Sequence, residues 1–409
     1  MTLRKDADQI ITAAIQSALP DAAVERALNS RSFPGRVFLV SVGKAAWQMA
    51  KTAADFLGDK VTDGLVITKY EHSKGEIARV RVFEAGHPMP DANSFLAAEE
   101  ALKLTSGLLP DDTVLFLLSG GGSALFEKPL VPPAELQDIT KQLLACGADI
   151  VEMNIVRKRL SAVKGGRFAL HCKPAKVFTI VLSDIIGDPL DMIASGPAYP
   201  DSSTCEQAME IVKRYDLHLS GQALDCLKTE MPKTLENVET LVTGSVRQLC
   251  ASAEATCIKL GYRPIVLTDS LCCTARDAGS FLASVARYHA KTDVSLAFIA
   301  GGETVVQLKG NGRGGRNQEL ALAAAAGIDG LEDTALFSLG SDGTDGPTDA
   351  AGGYVDGHTA HVLSEAGISI LGELENNNAY FALGKCGGLV KTGATGTNVN
   401  DLSVLLIKR

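Results

Sequence analysis

A glycine-rich stretch with two arginines is the first segment whose residue types and spacing could bind a ligand. The stretch KGNGRGGRNQELALAAAA carries Gly310, Gly312 and Gly315 at the G-x-G-x-x-G spacing of a dinucleotide-binding turn. Arg313 and Arg316 stand beside them, and their forked N–H donors suit a phosphate or a carboxylate. An arginine at the start of a helix is electrostatically unfavourable unless an anion offsets it. The segment therefore predicts an anion site, for a dinucleotide or for another charged ligand.

Two details argue against the dinucleotide. The turn lies between the predicted strand TVVQL and the predicted helix NQELALAAAA, but an acidic residue should then follow at the end of the next strand. Glu332 and Asp333 precede that strand, ALFSLG, and so belong to the opposite edge of the sheet. A hydroxy-acid dehydrogenase would also need a histidine with a partner carboxylate, and none is evident. We therefore favour arginines that bind a phosphate or a carboxylate.

A second glycine loop follows the apolar strand TVLFLL. Consecutive glycines let backbone N–H groups approach an anion closely, and the alternative is a tight turn from strand to helix. The sequence contains no G-x-x-x-x-G-K-[ST] motif, which excludes a P-loop NTPase. We expect this loop to bind phosphate or carboxylate through Ser119, Gly120, Gly121, Gly122 and Ser123.

Two basic side chains occupy other predicted turns. Lys44 follows the first apolar strand in SVGKAAW, where it is either a solvated surface charge or a point charge for a phosphate. His87 stands in EAGHPMPD, where it either donates to the backbone of a turn or binds a ligand. We count both among the candidate site residues.

Aspartates follow two further strands. Asp184 and Asp188 occur in VLSDIIGDPLD, and Asp184, which is nearer the strand end, is our candidate base for a hydroxyl group. Asp342 and Asp345 occur in GSDGTDG, which is not an EF-hand because Gly353 stands where that loop needs a glutamate. Aspartates can alternatively cap helices and turns. We predict that Asp188, Asp342 and Asp345 hold Mg²⁺.

Short apolar strands that alternate with helical stretches must position these residues. This alternation predicts an α/β fold in two domains, each with a mostly parallel sheet covered by helices on both faces. Such sheets bind ligands outside the carboxyl ends of their strands, and a cleft between the domains is the expected active site. The polar stretch KTEMPKTLENVET places the boundary so that the domains are 1–235 and 236–409.

Composition excludes several classes of protein. A net charge of -9 argues against a nucleic-acid surface, and no apolar run is long enough to span a bilayer. Nine scattered cysteines without a C-x-x-C pair fit reduced thiols and a cytoplasmic location. We expect small-molecule ligands and neither nucleic acid nor a membrane as partner. The oligomeric state stays open, a homodimer included.

Long motifs in one order give the chain a specific resemblance. They include VGKAA, EAGHPMPD, LSGGGSAL, MNIVRKRLSAVKGGR, VLSDIIGDPLDMIASGP, GGETVVQLKGNGRGGRNQELALA, GSDGTDGPTDAAGG and TGATGTNVNDL. With these motifs the chain resembles the class of glycerate 2-kinases that end in a MOFRL domain. The resemblance implies phosphorylation of D-glycerate to 2-phosphoglycerate, with ATP and Mg²⁺, in a cleft between two α/β domains.

The resemblance also implies roles for particular residues. It makes Lys44, Asp184 and Arg316 catalytic, and replacing Lys44 or Arg316 by alanine should then reduce turnover more than stability. We further expect phosphate or substrate binding by Arg313, Asn317, Glu303, Thr395 and Asn398. A second basic group either adds positive potential near the phosphates or forms a solvated helix face, which we favour for most of its members Arg157, Lys158, Arg159, Lys164 and Arg167.

Two other functions stay open. Members of the same family are often labelled hydroxypyruvate reductase, so one alternative is an NAD(P)H-dependent enzyme of tartrate degradation. The other is a non-catalytic sensor of a hydroxy acid or a nucleotide. Consumption of NAD(P)H against production of ADP distinguishes the first alternative from the kinase, and binding without turnover would indicate the sensor.

Overall fold

The computed structural model describes residues 2–29, 31–183, 185–187 and 189–409. These residues form two compact units, each built around a six-stranded sheet. The first-sheet unit is drawn from residues 24–182 and 188–243, and the second-sheet unit from residues 1–23, 183–187 and 244–409. The α/β class and the two sheets predicted from the sequence are confirmed.

The first sheet has the strand order β3-β2-β1-β4-β5-β6. The pairs β1–β2, β2–β3, β1–β4 and β4–β5 are all parallel. All six residues of β1 and of β4 are buried, as expected for central strands with both faces covered. The strands are β1 (Val37–Val42), β2 (Val61–Lys69), β3 (Val80–Ala85), β4 (Thr113–Leu118), β5 (Lys176–Leu182) and β6 (Val238–Gly244).

The second sheet is mixed, with the order β11-β10-β9-β12-β8-β7. Only β7 and β8 form a parallel pair, because β12 inserts between β8 and β9 and runs antiparallel to both. The prediction of mostly parallel neighbours is therefore wrong for this sheet, although β7, β8 and β9 do run in one direction. Its strands are β7 (Arg263–Leu271), β8 (Leu296–Gly302), β9 (Thr334–Gly340), β10 (Gly352–Asp356), β11 (Leu389–Val390) and β12 (Asp401–Ile407).

Helices accompany the sheets along the chain. Those from the first part of the chain are α1 (Leu3–Ser17), α2 (Pro20–Asn29), α3 (Ala46–Leu57), α4 (Ala92–Leu104), α5 (Gly122–Leu125), α6 (Pro133–Ala145), α7 (Ile150–Arg159), α8 (Arg167–His171), α9 (Cys205–Arg214) and α10 (Gly221–Leu227). The rest are α11 (Val246–Lys259), α12 (Ala275–Tyr288), α13 (Arg316–Ala325), α14 (Thr359–Glu365), α15 (Ile370–Glu375) and α16 (Ala379–Lys385).

Alternation along the strands of the second sheet divides its core in two. Ala297 and Ile299 of β8 pack in one cluster with residues of α1 and α11, whereas Leu296 and Phe298 pack in another with residues of α12 and α13. Helices therefore cover both faces of this sheet, as the sequence predicted.

The unit boundaries differ from the predicted split at residue 235. Helix α1 packs on α11 and so belongs to the second-sheet unit, although more than 200 residues separate the two helices in the sequence. Strand β6 joins the first sheet, which moves the later boundary to Thr243 and Gly244. Both differences arise from packing between distant segments, which the local polarity of KTEMPKTLENVET does not report.

Among the described residues, no helix combines the length and the apolar character needed to cross a bilayer.

Candidate active site

The loops that follow β1 and β4 lie side by side at the carboxyl edge of the first sheet. The strand order reverses between these two strands, and such a reversal is where open α/β sheets bind ligands. The N–H of Lys44 donates to the carbonyl of Gly120 at 2.9 Å, and the N–H of Ala45 donates to Oγ of Ser119 at 3.1 Å. The structure therefore brings Lys44 and the predicted glycine loop together.

The glycine loop presents a row of backbone donors. Within the described part of the chain, the N–H groups of Gly120, Gly121, Gly122 and Ser123 donate to no acceptor. Gly121 has φ +88°, in the left-handed region that favours glycine. Successive N–H groups in such a turn form a concave site for an anion. Ser119 is buried, and its hydroxyl stabilises the neighbouring loop.

Lys44 and His87 flank this loop. A Cβ atom placed on Gly121 would lie 3.0 Å from Cδ2 of His87 and 3.4 Å from Cγ of Lys44. Lys44 is exposed, and its ammonium group makes no hydrogen bond or ion pair with the residues described. Burial and then the charge of Lys44 lower the pKa of His87, so its imidazole is neutral near pH 7. The loop thus combines free N–H donors with one available cation.

The basic residues on and after α7 do not form the solvated helix face that we favoured. Lys158 and Arg159 both form ion pairs with the buried Asp201, and Lys164 pairs with the buried Glu127. These cations lie under the surface because α7 packs against α9 and α10. They stabilise the unit and are already neutralised.

Arg167 and Ser123 have local partners of their own. The guanidinium of Arg167 donates to the carbonyls of Arg159 and Ser161 at 3.1 and 2.6 Å, so Arg167 holds the end of α7 and the turn after it. The hydroxyl of Ser123 lies 3.0 Å from Oγ of Ser195. Of the five basic residues in this group, only Arg157 makes no hydrogen bond or ion pair with the described residues.

The second sheet gathers its own group of predicted residues around Arg316. Because β12 is antiparallel to β8 and β9, its first residue, Asp401, lies opposite the last residues of both strands. Nε and Nη2 of Arg316 donate to the two carboxylate oxygens of Asp401 at 2.6 and 2.9 Å. Nη1 donates to Glu303 at 2.7 Å, and Asn400 donates to the same glutamate at 3.2 Å. Arg316 therefore stands between two carboxylates.

Asp345 occupies the beginning of α13. Its carboxylate accepts the N–H of Asn317 at 3.2 Å, the N–H of Gln318 at 2.8 Å and the side-chain amide of Asn317 at 3.3 Å. The amide oxygen of Asn317 accepts in turn from the hydroxyl of Ser338 at 2.6 Å. Asp345 and Asn317 thus form a buried network that caps α13, which is the alternative role we noted for an aspartate.

The remaining candidates of this unit are nearer the surface. Asp342 accepts the N–H of Thr344 at 2.9 Å, and Thr395 donates its hydroxyl to the carbonyl of Ser341 at 2.6 Å. Asn398 is exposed and has no hydrogen-bond partner among the residues described. In the described chain, Asp342 and Asp345 do not belong to any group of three ligands close enough to share a metal ion. Asp184 and Asp188 lie outside the described residues.

The G-x-G-x-x-G stretch serves packing within the unit. A Cβ atom on Gly310 or Gly312 would lie 2.4 Å from atoms of Asn376 or Asn378, and one on Gly315 would lie 2.3 Å from Asp345. The glycines therefore admit protein atoms rather than a pyrophosphate. The predicted strand TVVQL is also absent, because β8 ends at Gly302 and a loop continues to α13.

Three consecutive asparagines, at 376–378, accept hydrogen bonds from the backbone N–H groups of residues 309–313. The side-chain oxygen of Asn377 accepts the N–H groups of Lys309 and Gly310, at 2.7 and 2.9 Å. Asn376 accepts the N–H of Asn311 through its side-chain oxygen and the N–H of Gly312 through its backbone carbonyl. The side-chain oxygen of Asn378 accepts the N–H of Arg313. Arg313, at the end of the loop, stacks on a tyrosine ring and donates to a carbonyl. A dinucleotide would find the N–H groups of residues 309–313 already bound, which agrees with the argument against a Rossmann turn.

Asp401, Asn400 and Asn377 were not among the predicted residues. Asp401 stands directly before the apolar run LSVLLI. It therefore marks the start of a strand, just as the other aspartates mark the end of one. That signal was available but unused, because the final strand was not recognised. Asn377 gave no comparable signal, since its role depends on a loop some 65 residues earlier in the chain.

The capping role of Asp345 predicts a pH dependence of stability. Burial raises the pKa of Asp345 to about 6, whereas the unfolded chain has a value of about 3.9. The folded state therefore binds this proton more tightly, and the associated stability is present below about pH 4 and lost as the pH rises to about 6. Asp345→Asn removes the titration. The wild type should therefore lose stability relative to Asp345→Asn as the pH rises. In urea denaturation, we expect the unfolding free energy of Asp345→Asn to gain about 2 kcal/mol on that of the wild type between pH 4 and pH 7. A constant difference would contradict the assignment.

Comparison with known families and proteins covers the whole chain. Residues 6–228 match a family described as a domain of unknown function (DUF4147), and residues 296–401 match the MOFRL family. The chain is 50% identical to a D-glycerate 2-kinase of Thermotoga maritima over 99% of both chains. It is also 37% identical to a putative hydroxypyruvate reductase of Agrobacterium vitis, over 98% of this chain and 93% of the other.

Solved structures agree with these similarities. The crystal structure of the Thermotoga maritima glycerate kinase matches with a TM-score of 0.94 and 50% identity over 99% of each chain. A Pyrococcus horikoshii protein of known structure matches with the same TM-score at 37% identity, over 100% of this chain and 99% of the other. The fold is therefore shared with proteins of known structure.

Proposed function

The chain belongs to the glycerate kinase family that ends in a MOFRL domain, and from that premise we propose that it is a D-glycerate 2-kinase. It transfers the γ-phosphoryl group of ATP to the 2-hydroxyl of D-glycerate and releases ADP and 2-phosphoglycerate. The observation that carries the proposal is the row of free N–H groups at Gly120–Ser123 beside Lys44, in a chain of which half the residues are identical to a D-glycerate 2-kinase.

The glycine loop and Lys44 are the proposed phosphate site. Phosphoryl transfer places negative charge on the equatorial oxygens of the transferring group, and catalysis depends on positioning and on charge stabilisation. The N–H groups of Gly120, Gly121, Gly122 and Ser123 supply fixed dipoles, and Lys44 supplies a mobile positive charge. His87 borders the loop as a neutral donor, which binds an oxygen without adding a charge.

The acceptor side of the reaction rests on Asp184 and Arg316. Asp184 follows β5, and we propose that it orients or deprotonates the 2-hydroxyl, a prediction that lies outside the described residues. Arg316, held by Asp401 and Glu303, is proposed to face the anionic reactants with its remaining donor capacity. Asn398 and Thr395 belong to the same unit and are proposed as further binding residues.

Mg²⁺ accompanies ATP in this proposal, and it neutralises part of the phosphate charge when bound. Asp342 fits a hard cation, because one of its oxygens accepts the N–H of Thr344 and its side chain is only partly buried. Asp345 fits less well, because both of its oxygens already accept hydrogen bonds. We therefore assign Asp345 to the cap of α13 and keep Asp342, with Asp188, as the proposed ligands.

The reductase alternative depends on the G-x-G-x-x-G stretch. The N–H groups of residues 309–313 are bound by Asn376, Asn377 and Asn378, and the glycines of the stretch are in contact with protein atoms. A nicotinamide dinucleotide would therefore compete with these asparagines for the first five backbone donors of the stretch, at residues 309–313. The kinase is the function that the free glycine loop supports.

A paired assay tests the proposal. The purified protein is incubated with D-glycerate, ATP and MgCl₂, and, separately, with hydroxypyruvate and NADH or NADPH. We expect ADP and 2-phosphoglycerate in the first reaction and no nicotinamide oxidation in the second. Nicotinamide oxidation without ADP release would refute the kinase, and binding of the ligands without either turnover would indicate a sensor.

Gly121 gives a prediction about the phosphate site. In Gly121→Ala the new methyl group would press against His87 at 3.0 Å and add strain at a positive φ. We expect KM for ATP to rise at least about tenfold, since the N–H row would be displaced. Gly107→Ala is the matched control, because Gly107 has φ +66° and open space around its Cβ position. Both variants should lose about 1 kcal/mol of unfolding free energy, but only Gly121→Ala should lose activity. Equal kinetics for the two would remove the loop from the site.

A further inference from the structure

Arg157 is a partly buried arginine that has no partner among the described residues. Its guanidinium makes no hydrogen bond and no ion pair with any residue in 2–29, 31–183, 185–187 or 189–409. Its neighbours on the chain differ sharply, because Lys158 and Arg159 share the buried Asp201. Charged side chains that leave water are ordinarily paired, so an unpaired guanidinium at this depth indicates an anionic ligand.

The charges around Arg157 do not balance. Glu127 is the acidic group that acts on it, but the carboxylate of Glu127 already pairs with the fully buried Lys164. Lys164 also donates to the carbonyls of Ser123 and Phe126, at 2.7 and 3.3 Å, which fixes it in place. The three ionisable groups therefore carry one net positive charge. Burial lowers the pKa of Arg157, which agrees with a cation that lacks its counter-ion.

A cavity opens beside Arg157. It has a volume of about 270 Å³, and it lies between the segment 88–90 and the helices α6 and α7. Its walls are mainly apolar, with Pro88, Met89 and Met153 among them, and Arg157 is the only charged residue among the described lining. A small cavity with apolar walls and one fixed cation suits a small organic anion better than a nucleotide triphosphate.

Two contacts relate the surroundings of the cavity to the proposed phosphate site. Pro88 follows His87, whose ring lies against Gly121. Lys164, which pairs with the Glu127 that acts on Arg157, donates to the carbonyl of Ser123, the last residue of the glycine loop. An anion held by Arg157 would therefore lie close to the phosphate-binding N–H groups.

We infer that Arg157 binds the carboxylate of the acceptor acid, and that the cavity beside it is the acceptor subsite. The inference rests on the proposed kinase function and deepens it. A planar guanidinium donates two parallel hydrogen bonds to a carboxylate, which fixes the acid end of a three-carbon substrate and leaves its hydroxyl free to point elsewhere. Selection for an acid over its neutral analogues would follow directly from this contact.

Steady-state kinetics of Arg157→Met and Arg157→Lys test the assignment, with D-glycerate and with the neutral D-glyceramide as acceptors. We expect Arg157→Met to raise KM for D-glycerate at least about 100-fold and to leave KM for ATP within about twofold. The preference of the wild type for D-glycerate over D-glyceramide should fall at least tenfold. Arg157→Lys, which keeps the charge but not the fork, should lie between the two. Arg214→Met is the control, because neither the half-exposed Arg214 nor its partners Glu152 and Glu210 line the cavity.

Thermal unfolding with D-glycerate alone separates this inference from the kinase proposal. A ligand that binds the folded state raises Tm, whether or not it reacts. If D-glycerate raises Tm of the wild type but not of Arg157→Met, the subsite stands even without turnover. A kinase in which Arg157→Met keeps its KM for D-glycerate would overturn the inference. So would a rise in KM for ATP alone, because Arg157 would then serve a nucleotide phosphate.

Discussion

Lys44→Met is expected to lower kcat about 10²- to 10³-fold and to leave the unfolding free energy within about 0.5 kcal/mol. The kinetic effect follows because Lys44 borders the free N–H row with a cation that no described residue neutralises, so its loss removes a positive charge from the site of the developing phosphate charge. The small effect on stability follows because the side chain is exposed and unpaired among the described residues. Single-turnover kinetics with saturating ATP and a urea titration measure the two quantities.

Lys51→Met is the matched control for Lys44. Lys51 lies on α3, seven residues later in the chain, and it forms an exposed ion pair with Asp55. Its loss should change kcat by less than about twofold, because its charge is already paired with Asp55. The unfolding free energy should fall by only about 0.3–0.5 kcal/mol, as for other exposed pairs four residues apart. If Lys44→Met retained more than a fifth of the wild-type kcat, Lys44 would be a solvated surface charge, which is the alternative the sequence left open.

Residues that directly follow a strand could be predicted to meet. Lys44 and Gly120 come after β1 and β4, which are both buried apolar runs, and parallel neighbours bring their carboxyl ends to one edge. The register of the pair then places the two loops in hydrogen-bonding contact. Local pattern and sheet geometry agree here, so the prediction needed no knowledge of distant contacts.

The partners of buried charges could not be predicted in the same way. Arg316 was recognised as a donor for an anion, but its carboxylates come from Glu303 and from Asp401, 85 residues later. Asp401 reaches Arg316 only because β12 inserts between β8 and β9, and that insertion is a choice among many strand orders. Lys164 likewise belonged to the group that we favoured as a solvated helix face, but it pairs with the buried Glu127.

The spacing of the glycines indicated a close approach to the backbone but did not identify the approaching group. Gly310 and Gly312 indicate that something approaches the backbone closely, and the sequence allowed either a pyrophosphate or protein atoms. The segment 376–378 provides those atoms and accepts the N–H groups of the loop. Only the tertiary contact distinguishes the two, since both place a glycine where a side chain would collide.

Arg316→Met is expected to abolish measurable turnover and to lower the unfolding free energy by about 3 kcal/mol. The stability loss distinguishes it from Lys44→Met. Asp401 accepts both hydrogen bonds of a bidentate pair, and its side chain is only 7% exposed, so removal of the arginine leaves a buried carboxylate without its cation. Urea denaturation at pH 7 measures the loss, and the ADP assay measures the turnover.

A second substitution separates the two effects of Arg316. In the double variant Arg316→Met, Asp401→Asn, the uncompensated charge is gone, so most of the lost stability should return while turnover stays absent. Recovery of turnover together with stability would mean that Arg316 acts only by holding the fold. No recovery of stability would mean that the bidentate pair is not what Arg316 contributes.

The pH dependence of Arg316→Met should report the same buried carboxylate. Burial raises the pKa of Asp401 and Arg316 opposes that rise, so removing the arginine raises the pKa further. A carboxyl group with a raised folded-state pKa contributes stability that is present below its unfolded value of about 3.9 and is lost as the pH rises. The stability deficit of Arg316→Met relative to the wild type should therefore be smaller at pH 5 than at pH 8. In the double variant with Asp401→Asn the larger deficit at pH 8 should be absent, because the carboxyl group that titrates has been removed.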